Sequence, residues 1–250
     1  MLEIFDHGPV RELRLARPPA NAINGPLLKA LDDALATANE EAEAVVISGA
    51  PGLFSAGLDV PQLIELDRPA FTRLWQQFIG MQRSIALSGI PVVFALTGHA
   101  PAGGLVLAVF GDYRIMPEGK FKTGLNEVQL GLVVPDEPFG ALVRLVGPRA
   151  AEQLVVKGEM IDAQRAAQIG LVDELVATPE DVVPRAVEWC QEHLALPRTA
   201  FQVSRKMARA DLHALFEDYE GIEGDRFIEL WFSDATQQML KGLVARLKKS

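Results

Sequence analysis

Apolar and polar positions along the chain change period several times, and each change marks an element. Residues 2 to 16 alternate loosely and break at His7-Gly8-Pro9, the pattern of a β-hairpin. From Pro26 to Ala42, Leu27, Leu28, Leu31, Ala34, Leu35 and Ala38 recur at helical spacing with Lys29, Asp32 and Asp33 between them, which predicts an amphipathic helix. The β-branched run Ala44 to Gly49 reads as a buried strand, ended by Gly49-Ala50-Pro51-Gly52. Residues 62 to 87 predict one long helix stopped by Ser88-Gly89-Ile90-Pro91, and Pro91 to Leu96 predicts a second buried strand.

That second strand runs through Thr97-Gly98-His99-Ala100-Pro101-Ala102-Gly103-Gly104-Leu105 into the helix-compatible Val106 to Phe110. Adjacent glycines at the first turn of a helix leave backbone N–H groups uncovered and without intrahelical acceptors, the raw material of an anion hole. Leu53 to Pro61 repeats the logic, with Asp59 placed to cap the helix that follows. Two strand–turn–helix units are therefore expected, at 45–66 and 92–110, followed by a β run at Asp112 to Met116. Helices are predicted at 138–146, 149–157 and 163–169, and from Pro179 onward at 182–194, 199–210, 212–227 and 233–247.

Composition narrows the function classes. With 250 residues and 49% apolar content, the chain can bury a sizeable core as one large domain or a main domain with an appendage. A net charge of −9 disfavours nucleic acid and anionic membrane as partners. Cys190 is the single cysteine, which excludes an intramolecular disulfide framework and makes a cytoplasmic location the default expectation. The acidic start and the lack of a long uncharged apolar run lead us to expect neither signal peptide nor membrane span. Gly-x-Ser-x-Gly fails around Ser55 because Leu53 stands where glycine is needed. Gly98 and Gly103 have P-loop spacing, but Gly104-Leu105 replaces the required Lys and Ser/Thr, and no Gly-x-Gly-x-x-Gly follows a predicted strand. His7, His99, His193 and His213 make no metal-ligand spacing, so no metal is expected.

Leu53 to Val60, Gly98 to Ala108 and Gly124 to Pro135 resemble, in order and spacing, the motifs of the crotonase family, the enoyl-CoA hydratases and isomerases. The resemblance implies an α/β fold, a crotonase-like spiral of ββα units over 1–196 with a C-terminal helical trimerisation region over 197–250. It also implies that the backbone amides of Leu58 and Gly103 form an oxyanion hole. Ala20, Ala22, Ser55, Ala56, Leu58, Asp59 and Gly104 match positions near substrate and coenzyme A, which is part of the substrate, so no separate cofactor is implied. A homotrimer or a dimer of trimers is implied too; Phe227, Ile228, Leu230, Trp231 and Phe232 suit such an interface or, equally, a buried intrachain face. Acyl-chain length is expected to depend on residues between Gln62 and Gln82, and the basic residues of 240–249 suit either a CoA phosphate or a solvated helix end.

Family hydratases carry two glutamates. Here the first position holds Val106 and the second Glu127, in a string that, together with Ala100 to Gly104 and Asp112 to Ile115, most resembles the mitochondrial type of Δ3,Δ2-enoyl-CoA isomerase. Hydration is well served by two positioned carboxyls, whereas an allylic shift needs one group that takes a proton from C2 and returns it at C4. The expected activity is accordingly conversion of 3-enoyl-CoA to trans-2-enoyl-CoA, of the fatty acid β-oxidation type, with an enoyl-CoA hydratase or another crotonase reaction, and a non-catalytic CoA-binding protein, as alternatives. The apolar neighbours Leu125, Val128 and Leu130 are expected to raise the Glu127 pKa. Taken without the resemblance, Glu127 reads as a solvated loop acid, Gly103 and Gly104 as packing glycines, Asp59 as a cap and His99 as a wall residue. Asp136 and Glu137 read as solvent-facing acids, although either one, turned into the pocket, would supply a second carboxyl.

Overall fold

The structure, a computed structural model, describes residues 1–217 and 222–248. A hairpin of β1 (Leu2–His7) and β2 (Val10–Leu15) leads to α1 (Gly25–Glu41), β3 (Ala44–Ser48), the short β4 (Gly52–Leu53) and a single turn, α2 (Val60–Leu63). Next come α3 (Arg68–Ala86), β5 (Val92–Ala95), β6 (Gly98–Pro101), α4 (Gly103–Ala108), β7 (Tyr113–Pro117) and β8 (Lys122–Gly124). A 3₁₀ turn at Glu127–Leu130 precedes α5 (Asp136–Val146), α6 (Pro148–Lys157), β9 (Ile161–Asp162), α7 (Ala163–Gln168) and β10 (Glu174–Val176). The chain continues through α8 (Val182–Leu194), α9 (Arg198–Ala208), α10 (Ala210–Ala214), α11 (Ile222–Trp231) and α12 (Asp234–Leu247).

Two sheets carry these elements. One has six strands in the order β1-β2-β3-β5-β7-β10, antiparallel only at the hairpin; the other has four in the order β4-β6-β8-β9, antiparallel only between β8 and β9. β3 and β5 are buried on both faces, which is why they read as continuous apolar runs. Alternation still sorts their side chains: Val45, Ile47, Val92 and Phe94 join the main core with α1, α3 and α4, whereas Val46, Val93 and Ala95 pack under Val182, Ala186 and Cys190 of α8. The two expected strand–turn–helix units are β3–β4–α2 and β5–β6–α4.

The C-terminal helices fold back onto this core. Asp112 accepts hydrogen bonds from Arg205 Nε at 2.7 Å, from Arg205 Nη2 at 2.8 Å and from the Val92 amide at 2.8 Å. Burial opposes its ionisation, yet the Arg205 hydrogen bonds and the Arg209 charge hold its carboxyl below the usual range. Arg209 meanwhile donates to the carbonyls of Phe110 and Gly111. Phe227, Ile228 and Trp231 are buried within the chain, Phe227 and Trp231 stacking on Trp75 and Phe71 of α3, while Leu230 and Phe232 of the same run are half-buried.

Several boundaries differ from the sequence reading. The long helix over 62–87 is two helices, because Asp67 accepts a hydrogen bond from Ala70 N at 2.8 Å and, with Pro69 behind it, starts α3 afresh. β6 occupies part of the glycine turn, and α4 ends at Ala108. β4, β6, β8, β9 and β10 are too short for a periodic signal. The centre of the helix expected over 212–227 lies outside the described residues, and its flanks belong to α10 and α11. Among the described residues no helix is long and apolar enough to cross a membrane.

Candidate active site

Parallel pairing of β4 with β6, which sets Gly52 beside Gly98 and Leu53 beside His99, brings the two glycine turns of the chain together. In the first turn Gly57 adopts φ +83°, in the left-handed region that favours glycine. Ile23 N donates to Gly57 O at 2.8 Å and Asp59 N donates to Ile23 O at 2.9 Å, a parallel bridge that clamps Leu58 between them. Asp59 caps α2 by accepting from Gln62 N at 3.1 Å, as expected, and its other oxygen accepts from Arg17 Nη2 at 2.5 Å. In the second turn Ala102, at φ +44°, is a strained non-glycine residue immediately ahead of Gly103. Its N–H donates to Gly124 O at 2.8 Å, which ties the corner to β8.

The amides of Leu58 and Gly103 end up side by side. A Cβ on Gly103 would lie 3.1 Å from Leu58 N, and a Cβ on Gly57 would lie 3.1 Å from Gly103 N. Neither N–H takes part in the bonds that shape these turns: the bridge uses the amides of Ile23 and Asp59, and α4 first closes with Val106 N donating to Ala102 O at 2.8 Å. Two donors on adjacent backbone are thus left free of those bonds, on residues that both line a cavity of about 830 Å³.

Glu127 lines the same cavity, at the start of the 3₁₀ turn. It is only 8% exposed, and among the described residues its Oε2 has no hydrogen-bond partner. Burial pushes its carboxyl up to about 7. Of the three apolar neighbours, Leu130 lines the same cavity, Leu125 is buried but is not among the lining residues, and Val128 is exposed. The charged side chains among the lining residues are Arg17, Asp59 and Glu127, and the first two are paired with each other. Val106 faces the cavity as hydrocarbon. Neither Asp136, which is exposed, nor Glu137, which is buried in the first turn of α5, is among the lining residues.

Of the remaining expected contacts, Ala20, Ala22, Ala56 and Asp59 line the cavity, but Ser55 and Gly104 do not. Ser55 is fully buried behind the turn, where its Oγ donates to Asn21 O at 2.8 Å and accepts from Gly57 N at 3.1 Å. A Cβ on Gly104 would lie 3.3 Å from Ser55 Cβ, so these two residues pack one glycine turn against the other instead of presenting surface to a ligand. His99 also stands off the cavity, its Nδ1 accepting from Lys122 N at 3.0 Å. Trp75 and Phe78 fall within the stretch expected to govern the acyl group, and they do line the cavity. Arg17, Asn126, Phe227, Trp231, Leu243 and Leu247 were not singled out as lining residues, because nothing in their local sequence separates a cavity wall from a core stripe or a solvated loop. Taken together, the arrangement suits removal of a proton from carbon next to a carbonyl: two main-chain donors receive the charge that develops on oxygen, and one near-neutral carboxyl moves the proton.

The sequence matches the enoyl-CoA hydratase/isomerase family profile over residues 7–249. A probable enoyl-CoA hydratase of Mycobacterium tuberculosis is 33% identical over 201 residues, covering 77% of this chain and 74% of the relative. The human mitochondrial enoyl-CoA delta isomerase 1 is 28% identical over 244 residues, covering 96% of this chain and 80% of that protein. The crystal structure of human mitochondrial delta3-delta2-enoyl-CoA isomerase superposes with a TM-score of 0.92 at 27% identity, covering 99% of this chain and 98% of the other.

Proposed function

The chain belongs to the enoyl-CoA hydratase/isomerase family, whose members act on acyl-CoA thioesters, and we propose that within it this protein is a Δ3,Δ2-enoyl-CoA isomerase. The observation that carries the reading is the pairing of Glu127, a buried carboxyl with one oxygen free of hydrogen bonds in a largely apolar cavity, with Val106, a hydrocarbon where the resemblance places the other acid of hydratases.

In this reading the thioester oxygen accepts hydrogen bonds from Leu58 N and Gly103 N, and Ala20, Ala22 and Ala56 let the CoA arm run close to backbone. Glu127, ionised, takes a proton from C2. The C2–H bond pair moves into the carbonyl system, and the resulting dienolate carries its negative charge on the thioester oxygen, where the two amides stabilise it by several kcal/mol. The same carboxyl, now protonated, gives the proton to C4; the C4–H bond forms, the double bond settles between C2 and C3, and the charge leaves the oxygen. A pKa of about 7 serves both halves of this shuttle at neutral pH. The side chain of Val106 keeps the cavity free of a group that would activate water.

The test is incubation with 3-hexenoyl-CoA and, separately, trans-2-hexenoyl-CoA. The isomerase reading expects 2-enoyl-CoA from the first and little 3-hydroxyacyl-CoA from the second. The hydratase reading, which the printed name of the mycobacterial relative favours, expects rapid 3-hydroxyacyl-CoA formation from the second. A homotrimer, or a dimer of trimers, is part of the same proposal, and sedimentation of the purified protein checks it.

A further inference from the structure

Glu127 begins a 3₁₀ turn of four residues, which Gly131 closes in the left-handed region at φ +76°. A turn this short, with i→i+3 bonds of poor geometry, has little stability of its own, so its ties to the rest of the chain are what hold it. On one side Gln129 Nε2 donates to Gly158 O at 2.8 Å, just past the end of α6. On the other, Thr236 in the first turn of α12 donates its hydroxyl to Gly131 O at 3.0 Å. Gly131 N in turn donates to Glu127 O, which also accepts from Leu132 N at 3.1 Å. Two hydrogen bonds thus lead from a side chain of α12 to the backbone of Glu127. The contact is tight and dry: Thr236 is 2% exposed, and a Cβ on Gly131 would lie 2.8 Å from its Oγ1. The Thr236 N–H is taken by the Oγ of Ser233, the cap of α12, at 3.3 Å, which leaves the hydroxyl for the turn.

We propose that Thr236 is a positioning residue for Glu127, its hydroxyl seating the turn so that the carboxyl stays inside the cavity and out of water. The proposal rests on reading Glu127 as the acid–base group. Thr236 is not among the lining residues, so it acts through Gly131, whereas Leu243 and Leu247 further along the same helix do line the cavity. Without the hydroxyl, Gly131 O would face hydrocarbon in a dry contact, and the turn relieves that cost by moving its carbonyl towards water. The backbone of Glu127 moves with it, and solvent reaches a carboxyl that burial had pushed up to about 7. No other charge takes over that control. Arg17 and Asp59, the other charged lining residues, are paired with each other, Lys157 and Glu159 beside the outer side of the turn pair at 2.9 Å, and Asp234, Lys241 and Arg246 of α12 are exposed.

Thr236→Val, which exchanges the hydroxyl for a methyl of similar size, tests this beside Thr236→Ser, which keeps the hydroxyl. With 3-hexenoyl-CoA the valine variant should lose kcat roughly tenfold at nearly unchanged KM, and the midpoint of its kcat/KM profile should fall by about one pH unit or more. The serine variant should stay close to the wild type in both. Denaturant melts read the same coupling without substrate: the stability gained at pH 8 through Glu127→Gln should shrink by about half or more when Thr236→Val is already present. Thr236→Ala takes the place of the valine variant if that one fails to fold. An unchanged midpoint or an equal Glu127→Gln gain in a folded variant, or a serine variant as impaired as the valine one, overturns the inference. A wild type that does not isomerise 3-hexenoyl-CoA sinks the isomerase reading alone, and the melts then decide the role of Thr236.

Discussion

The ideal Cβ position of Gly103 lies 3.1 Å from the amide nitrogen of Leu58, so the absence of a side chain at residue 103 is what lets two backbone donors share one patch of cavity wall. Residue 103 does not have a positive φ, but a Cβ there presses on backbone, at 3.1 Å from Leu58 N and 3.3 Å from Gly57 Cα, so in Gly103→Ala the facing turn must give by a few tenths of an ångström while the methyl shields the Leu58 N–H. The expected result is a fall in kcat on the order of 10²-fold with KM changed far less, since the donors matter most when charge sits on oxygen. Steady-state kinetics on 3-hexenoyl-CoA, with a melting curve as control, check it.

Activity should also report the unusual acidity of Glu127. Its carboxyl titrates near 7 in the free protein because burial disfavours the charged form, and the base must be ionised to accept a proton. kcat/KM is therefore expected to rise with pH through about 7 and then level off, the profile of one ionising base in the free enzyme. A profile already flat above pH 5 would mean an ordinary exposed carboxylate.

The same acidity has a stability consequence of definite sign. A folded-state pKa of about 7, against an ordinary value of 4.5, means that the native protein holds this proton more tightly than the unfolded chain does. The contribution is then favourable below about 4.5, is lost as pH rises towards 7, and leaves a buried charge with one oxygen unsatisfied above that. Glu127→Gln should abolish turnover yet raise stability at pH 8 by roughly 1–3 kcal/mol, with little effect at pH 4. Denaturant melts of both proteins at the two pH values measure the difference.

Val106 is 3% exposed and lines the cavity together with Glu127. Val106→Glu should bring a second carboxyl into the site and raise hydration of trans-2-hexenoyl-CoA at least tenfold over the wild type, while burial of the extra acid lowers stability by about 2–4 kcal/mol. Direct observation of 3-hydroxyacyl-CoA formation decides the matter.

Away from the chemistry, Asp112 holds α9 against the core through Arg205 and also faces Arg209 at 3.3 Å. Removing it strands buried cations, so Asp112→Ala is expected to destabilise the protein by about 3–5 kcal/mol. Replacing Lys29 or Asp33, an exposed pair on α1, should change stability by less than about 0.5 kcal/mol.

How much of this was legible in the sequence depends on which signals are local. α1, β3, β5 and the positions of both glycine turns could be read from periodicity and from small residues, and Asp59 from its capping position. Glu127 was legible only through the resemblance, because a carboxylate in a polar loop has no local mark of burial; what encloses it comes from β6, α4 and α12, far away in the chain. The positive φ of Ala102 had no local mark either, and the one bond its amide makes is to Gly124, on a different strand. Ser55 and Gly104 differ in the other direction: the resemblance placed them near the ligand, whereas in the structure they pack one glycine turn on the other, a role set by the pairing of two distant segments. The break at Asp67 was written in the chain as Asp-x-Pro, and the longer apolar periodicity on either side concealed it.

In the proposed isomerisation one carboxyl carries the proton from C2 to C4. The decisive substrate is 3-hexenoyl-CoA doubly deuterated at C2, turned over in ordinary water and examined at C4 of the product. Because Glu127 is buried, with Oε2 free of hydrogen bonds, a measurable fraction of product should carry deuterium at C4, and Glu127→Gln should lose all turnover. Product carrying only solvent hydrogen at C4, or a Glu127→Gln variant that still isomerises, would contradict it.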